Sequence, residues 1–226
     1  MTERGRAVLD ELRGLANPAN AVGMARFGIN STGTLGISIP TLRALARRLG
    51  RDHELAIELW ASGLHEARIL AAFVDEPARV DDAQLEAQVL DLDSWDVCDQ
   101  WCSSVVWRTS FALAKVRAWA DRPEEFVRRA SFALIASLAV HDKKLTDADF
   151  IALLPLIERA ADDDRNFVKK AVNWALRQIG KRNRALNAAA VETAQRLVAR
   201  PERAARWIGR DALRELTSDA VQARLA

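Results

Sequence analysis

The chain has no tyrosine, two cysteines, three histidines and six prolines, and it lacks any long hydrophobic run. No stretch approaches the roughly 18 apolar residues that a bilayer-spanning helix needs. Cys98 and Cys102 are too few for a disulfide scaffold and read as reduced, buried thiols of a cytoplasmic protein. Histidine is just as sparse: zinc sites want about four ligands, and His53, His65 and His141 have no ligand spacing to the cysteines, so no metal is expected. A Gly-rich phosphate loop, a Ser–His–Asp pattern and a dinucleotide fingerprint are all missing. Any enzyme chemistry therefore falls to carboxylates and aromatics, with no cofactor. Met1-Thr2-Glu3-Arg4 opens an amphipathic segment of mixed charge in which no secretory signal is visible.

Strand signals are nearly absent as well, since few segments alternate apolar and polar residues. What is present is helical spacing. In Phe126-Val127-Arg128-Arg129-Ala130-Ser131-Phe132-Ala133-Leu134-Ile135, apolar residues recur at three and four, with the arginines on another face. Prolines punctuate this pattern. Pro123 and Pro201 are each followed by acids, as suits a first helical turn, where a missing N–H is harmless and negative charge meets the dipole. Gly36, Gly50, Gly63 and Gly180 read as helix stops or turns. Half the residues are hydrophobic and 28% are charged, the balance of a globular protein with a real core.

The sequence also repeats itself. Phe126-Val127-Arg128-Arg129-Ala130 returns 41 residues later as Phe167-Val168-Lys169-Lys170-Ala171, and again as Ile208-Gly209-Arg210-Asp211-Ala212. Leu64-His65-Glu66-Ala67-Arg68-Ile69-Leu70-Ala71-Ala72-Phe73 reads as an earlier, degenerate copy. A period near 40 built from two helices is the signature of HEAT-like repeats. One helical pair cannot bury its own apolar stripe, but stacked neighbours bury it for each other. The expectation is an all-α solenoid forming one domain over residues 1–226; the competing reading is a generic helical bundle with chance similarity. In a solenoid, Arg128 and Arg129, Lys169 and Lys170, and Arg210 become successive cationic rungs on one surface, matched to a nucleic-acid backbone.

Charge supports that expectation. The net +2 hides an asymmetry: residues 1–120 carry 13 Lys+Arg against 16 Asp+Glu, and residues 121–226 carry 20 against 15. Between Arg165 and Arg184 stand seven bases, Arg177 among them, and no acid. Such a run attracts phosphates, although it is more commonly a solvated face.

The most unusual segment is Asp93-Ser94-Trp95-Asp96-Val97-Cys98-Asp99-Gln100-Trp101-Cys102. Ser94 or Asp93 caps a helix here, and Trp95 and Asp99, four apart, share a face. Cys98 and Cys102 share another, and Trp101 points elsewhere. The plain account is that the tryptophans pack the core and Asp96 favours the helix N-terminus.

Together, Ser94-Trp95-Asp96-Val97-Cys98-Asp99, the motifs beginning at Phe126 and Phe167 (the latter running on to Trp174-Ala175-Leu176-Arg177), and Met24-Ala25-Arg26-Phe27 with Leu35-Gly36-Ile37-Ser38-Ile39-Pro40 resemble the AlkD-like DNA alkylation repair glycosylases in order and spacing. The resemblance covers roughly residues 20 to 183, and the rest by repeat pattern. It implies a C-shaped stack of HEAT-like helical pairs that holds duplex DNA in a basic concave face. It also implies removal of 3-methyladenine and 7-methylguanine without a metal and without flipping the base. By the same resemblance Asp99 is the catalytic carboxylate, Trp95 and Trp174 are cleft aromatics, and Arg129 contacts phosphate. Arg128, Lys169, Lys170 and Arg177 join the expected DNA contacts. The partner is thus double-stranded DNA bearing alkylated purines, met by a monomer. Phe27 stands where relatives have a tyrosine and Ser94 where some have another tryptophan, departures that bear on substrate range more than on the reaction. Two rival readings are a non-catalytic binder of branched or distorted DNA and a helical-repeat scaffold for a protein partner.

Overall fold

The computed structural model describes residues 1–30 and 33–225, which fold into α-helices joined by turns. Among the described residues there is no strand, and no helix is long and apolar enough to cross a membrane. The chain forms two compact units, Met1–Phe111 and Ala112–Ala226.

The first unit holds α1 (Glu3–Gly14), α2 (Pro18–Ala25), α3 (Ile39–Leu49), α4 (His53–Ala61), α5 (His65–Val74), α6 (Asp82–Leu90) and α7 (Trp95–Ser104), followed by a 3-10 turn at Val106–Arg108. Its helix starts follow from side-chain capping. Thr2, Asn17, Ser38, Asp52 and Asp81 each accept a hydrogen bond from an amide of the first turn, one of the donors a helix leaves orphaned. Helix α5 occupies the middle, packed against α3, α4 and α7, while α1 lies on α4 and α5. It covers the degenerate copy from His65 onward, with Leu64 as its N-cap. Trp60 and Trp101 fill the core between α4 and α7, their rings 5.7 Å apart and tilted by 46°.

The second unit is a run of helical pairs. Helix α8 (Ala112–Trp119) packs on α9 (Glu125–His141); α10 (Asp147–Ile151) and α11 (Leu154–Ala160) precede α12 (Asn166–Gly180); α13 (Arg184–Val198) packs on α14 (Arg203–Leu216); and α15 (Asp219–Leu225) closes on α14. Helix α12 lies between α9 and α14, so the three copies of the 41-residue repeat are adjacent parallel helices. Phe126 stacks on Phe167 at 5.6 Å, and the alanines at the fifth repeat position, Ala130, Ala171 and Ala212, are all buried. Side chains bridge neighbouring copies at a constant offset: Arg129 reaches Phe167, Asn173 reaches Asp211 and Arg177 reaches Glu215. That offset is one helical turn short of the repeat, as expected when Cα–Cβ bonds tilt toward the helix N-terminus. At Gly209 a Cβ would lie 2.5 Å from the Ala194 carbonyl oxygen, so this glycine is what allows α13 and α14 to meet.

Pro123 and Pro201 do not occupy first helical turns. Each lies just before an acidic N-cap, Glu124 of α9 and Glu202 of α14. The prolines that do stand in a first turn are Pro18, Pro40 and Pro155.

Candidate active site

Helix α7 has two unlike sides. Val97, Cys98, Trp101 and Cys102 are buried, and the Trp101 indole N–H donates to Gln88 Oε1 at 2.9 Å. Trp95 and Asp99, one turn apart, are half-buried on the other side. The Trp95 Nε1–H donates to the Phe27 carbonyl at 3.0 Å, while the Phe27 ring itself is 71% exposed. This bond fixes the plane of the indole beside the carboxylate one turn on. Both cysteines are free and buried.

The start of α7 is held more firmly than sequence reasoning anticipated. Ser94 is the N-cap residue, yet its hydroxyl makes no bond to the first-turn amides and donates instead to Asp96. The other carboxylate oxygen of Asp96 lies 2.9 Å from His65 Nε2 on α5. Burial works to raise the Asp96 carboxyl, but the hydrogen bond and charge of His65, with Ser94 and the Val97 amide, hold it below the usual carboxylate value. His65 moves the opposite way: burial pulls it down, and the Asp96 bond together with the charges of Asp96, Glu66 and Asp93 raises it above its ordinary value. Asp96 is therefore half of a buried, hydrogen-bonded carboxylate–histidine pair rather than a simple dipole partner. Arg68 adds a second tie, donating to the Asp91 carbonyl at 2.8 Å ahead of α7. These contacts set the rotation of α7 and so the direction in which Trp95 and Asp99 face.

A second cationic feature of the first unit was not anticipated. Arg43, Arg47 and Arg51 surround a hollow of about 370 Å³ closed by Phe73, over whose ring the Arg43 guanidinium lies at 5.6 Å. Their spacing across the α3–α4 connection hid them from a search for consecutive bases.

In the second unit the expected contact residues have unlike surroundings. Trp174 is half-buried on α12. Arg129 is only 5% exposed, and its Nη1 donates to the Phe167 carbonyl at 2.6 Å. Arg128 pairs with Asp163 at 3.1 Å. Arg177 bonds Glu215, which also takes Lys181 at 2.6 Å. Lys169 and Lys170, adjacent on α12, diverge: the Lys169 ammonium lies 5.2 Å from the centre of the Trp207 ring, whereas Lys170 is exposed. The run of bases from Arg165 to Arg184 is thus not a continuous bare face. Arg165 closes on Asp163, and Arg182 donates to the carbonyls of Ala139 and Asp142. Arg184, which ends the run, is exposed, as are Arg203 and Arg210 on α14.

The comparisons with known proteins fit this architecture. A family model described as DNA alkylation repair enzyme matches residues 8–216. No curated protein matches the sequence. A solved structure described as a new family of proteins related to the HEAT-like repeat DNA glycosylases, with affinity for branched DNA structures, aligns with a TM-score of 0.80 at 17% identity, covering 97% of this chain and 95% of that one. The fold is accordingly that of the HEAT-like repeats. With nearly its whole length matched, the chain belongs to the DNA alkylation repair enzyme family.

Proposed function

We propose that the protein is a DNA glycosylase that hydrolyses the N-glycosidic bond of cationic alkylated purines, 3-methyladenine and 7-methylguanine, in duplex DNA, acting as a monomer in the cytoplasm and without extruding the base. The observation that carries this reading is the pair on α7: a carboxylate and an indole left half-buried on one side of a helix whose other side is sealed. A purine alkylated at N3 or N7 already bears positive charge, so it leaves with the bonding electrons as a neutral base and needs no general acid. The deoxyribose becomes oxocarbenium-like as the bond stretches. Asp99 stabilises that growing cation and takes up the proton of the water that adds to C1′. Trp95, on the same helix face, supplies an electron-rich ring and displaces water, which strengthens the field of the carboxylate, and Trp174 offers a second electron-rich ring to the bound DNA. Arg129, Arg128, Lys169, Lys170 and Arg177 provide the cationic groups that hold phosphates and fix the register of the backbone. The buried setting of Arg129 suits it to a positioning contact, since its guanidinium is already oriented by the Phe167 carbonyl.

Release of free 7-methylguanine and appearance of abasic sites in N-methylated duplex DNA test the proposal, with wild type and Asp99→Asn side by side. The expected loss is on the order of 10²-fold or more in excision, the size of a lost transition-state electrostatic contact, with DNA affinity nearly intact. Undiminished release by the Asn variant would refute the role of Asp99. A second reading, a non-catalytic binder of branched DNA, is favoured by the description of the structural neighbour. It predicts binding of branched DNA with no abasic sites formed by the wild type.

A further inference from the structure

Trp207 is the one large aromatic of α14, and it stands 40% exposed where the helix would be expected to show only charge. It walls two hollows at once. On one side, Lys169 and Arg203 with Asp164 and Ala204 line a space of about 480 Å³, and the Lys169 ammonium covers a face of the ring. On the other, Arg203, Arg206, Arg210 and Arg214 with Asp211 line a space of about 410 Å³. Arg214 is paired with Asp211, and Arg206 donates to the carbonyls of Arg200 and Pro201. Arg203 and Arg210 are exposed and bond no side chain among the described residues. Asp211 is drawn inward as well, accepting from Asn173 at 2.7 Å, so the acid of this hollow is already engaged.

Cations alone suffice to hold a duplex backbone, whose bases show no open π-face. An indole set between two cationic hollows matches a different object, a nucleotide whose base is free to stack and whose two flanking phosphates need separate partners. Building on the reading of this protein as a DNA-binding enzyme, we propose that the α14 surface binds an unpaired nucleotide of DNA, with the base against the face of Trp207 that Lys169 leaves uncovered and the flanking phosphates in the hollows of Lys169–Arg203 and Arg203–Arg210. The site would let the protein hold a frayed, forked or branched end while the duplex portion is scanned.

The test uses the full chain and three DNAs of one sequence: a blunt duplex, the same duplex with a single-stranded arm, and the arm alone, each titrated at fixed salt. The expected result for Trp207→Ala is about a tenfold weaker grip on the armed duplex, the fold-change that corresponds to roughly 1.4 kcal/mol of base stacking, with affinity for the blunt duplex unchanged. Trp207→Phe retains most of the preference. A 2-aminopurine placed as the first unpaired base is quenched on binding wild type and not on binding the Ala variant. Excision from the blunt duplex is equal in both. Equal weakening on armed and blunt DNA, or no weakening on either, overturns this assignment while leaving the glycosylase reading intact. A wild type that binds no form of DNA overturns both.

Discussion

Glu66 is the carboxylate on which the first unit most visibly depends, and removing it yields a graded prediction. It is 0% exposed on α5, and both its oxygens are engaged by the loop that leads into α3. Oε1 accepts from the amides of Gly36 at 2.6 Å and Ile37 at 3.2 Å, and Oε2 accepts from Leu35 at 2.8 Å. The same loop is clamped from the other side, where the Asn17 amide donates to the Leu35 carbonyl at 2.7 Å. At Gly36 φ is +79°, and a Cβ would fall 2.1 Å from the Asn17 carbonyl oxygen, so the loop has no other way to pass between α2 and α5. In Glu66→Gln the amide oxygen can keep the Gly36 and Ile37 bonds, but its NH₂ confronts the Leu35 N–H. One charge-assisted bond is lost and two donors face each other, a destabilisation of about 2–3 kcal/mol. In Glu66→Ala all three amides lose their acceptor, and at about 1–3 kcal/mol for each unsatisfied donor, less what entering water restores, the expectation is about 4 kcal/mol. For a unit of roughly a hundred residues these correspond to falls in Tm of about 10 and 16 °C. Urea unfolding followed by tryptophan fluorescence, with thermal melts alongside, measures both variants. A Gln variant within about 0.5 kcal/mol of wild type, or an Ala variant no worse than Gln, would show that the loop does not rest on this carboxylate.

Two further outcomes are expected. The raised value of His65 means its protonation stabilises the fold fully below its ordinary value of 6.5, and that contribution is lost as pH rises through the raised value; the lowered Asp96 contributes above its ordinary value of 3.8 and is lost only as pH falls through the lowered one. Melting temperature should therefore decline as pH rises above 6.5 and level off past the raised value, and His65→Leu should remove that slope and cost about 3 kcal/mol by leaving Asp96 buried without its partner; a wild-type melt flat across that range would refute the pair's role. Gly209→Ala should destabilise by about 2 kcal/mol despite alanine's better helix propensity, because its Cβ meets the Ala194 carbonyl oxygen at 2.5 Å and the Val198 amide nitrogen at 2.8 Å. A gain in thermal stability would show instead that α13 can move away from α14.

Much of the fold could be read before any coordinates, because its causes are periodic. Phe126 and Phe167 stack, and Ala130, Ala171 and Ala212 are buried, since a repeat places like residues in like surroundings. The shared face of Trp95 and Asp99 followed from four-residue spacing alone. What could not be read depends on residues far apart in the chain. His65 and Asp96 are joined across the α5–α7 contact, and no local rule pairs them. Pro123 and Pro201 match the pattern of a helical first residue, but Glu124 and Glu202 take the N-cap positions after them. The arginines around Phe73 converge only because a turn folds Arg51 back toward α3.

The base run from Arg165 to Arg184 exposes the limit most clearly. A window count finds no acid there, yet Asp163 stands just before the run and Glu215 reaches it from the next repeat. A repeat protein brings residues of different copies together at a fixed offset, so a cation's counter-ion belongs to the neighbouring copy and is invisible to any local tally. The repeat position that reads as a row of equal cations therefore divides by task. Arg128 pairs with Asp163, whereas Arg129 bonds a neutral acceptor, the Phe167 carbonyl, which orients its guanidinium at the entry to α12. Lys169 lies on Trp207, Lys170 faces solvent, and Arg210 at the last copy is exposed. Cations closed on counter-ions in the folded protein release few counterions from DNA, because their charge is already matched. The electrostatic pull of this unit on a phosphate backbone should accordingly be weighted toward α12 and α14, where the indole of Trp207 also stands.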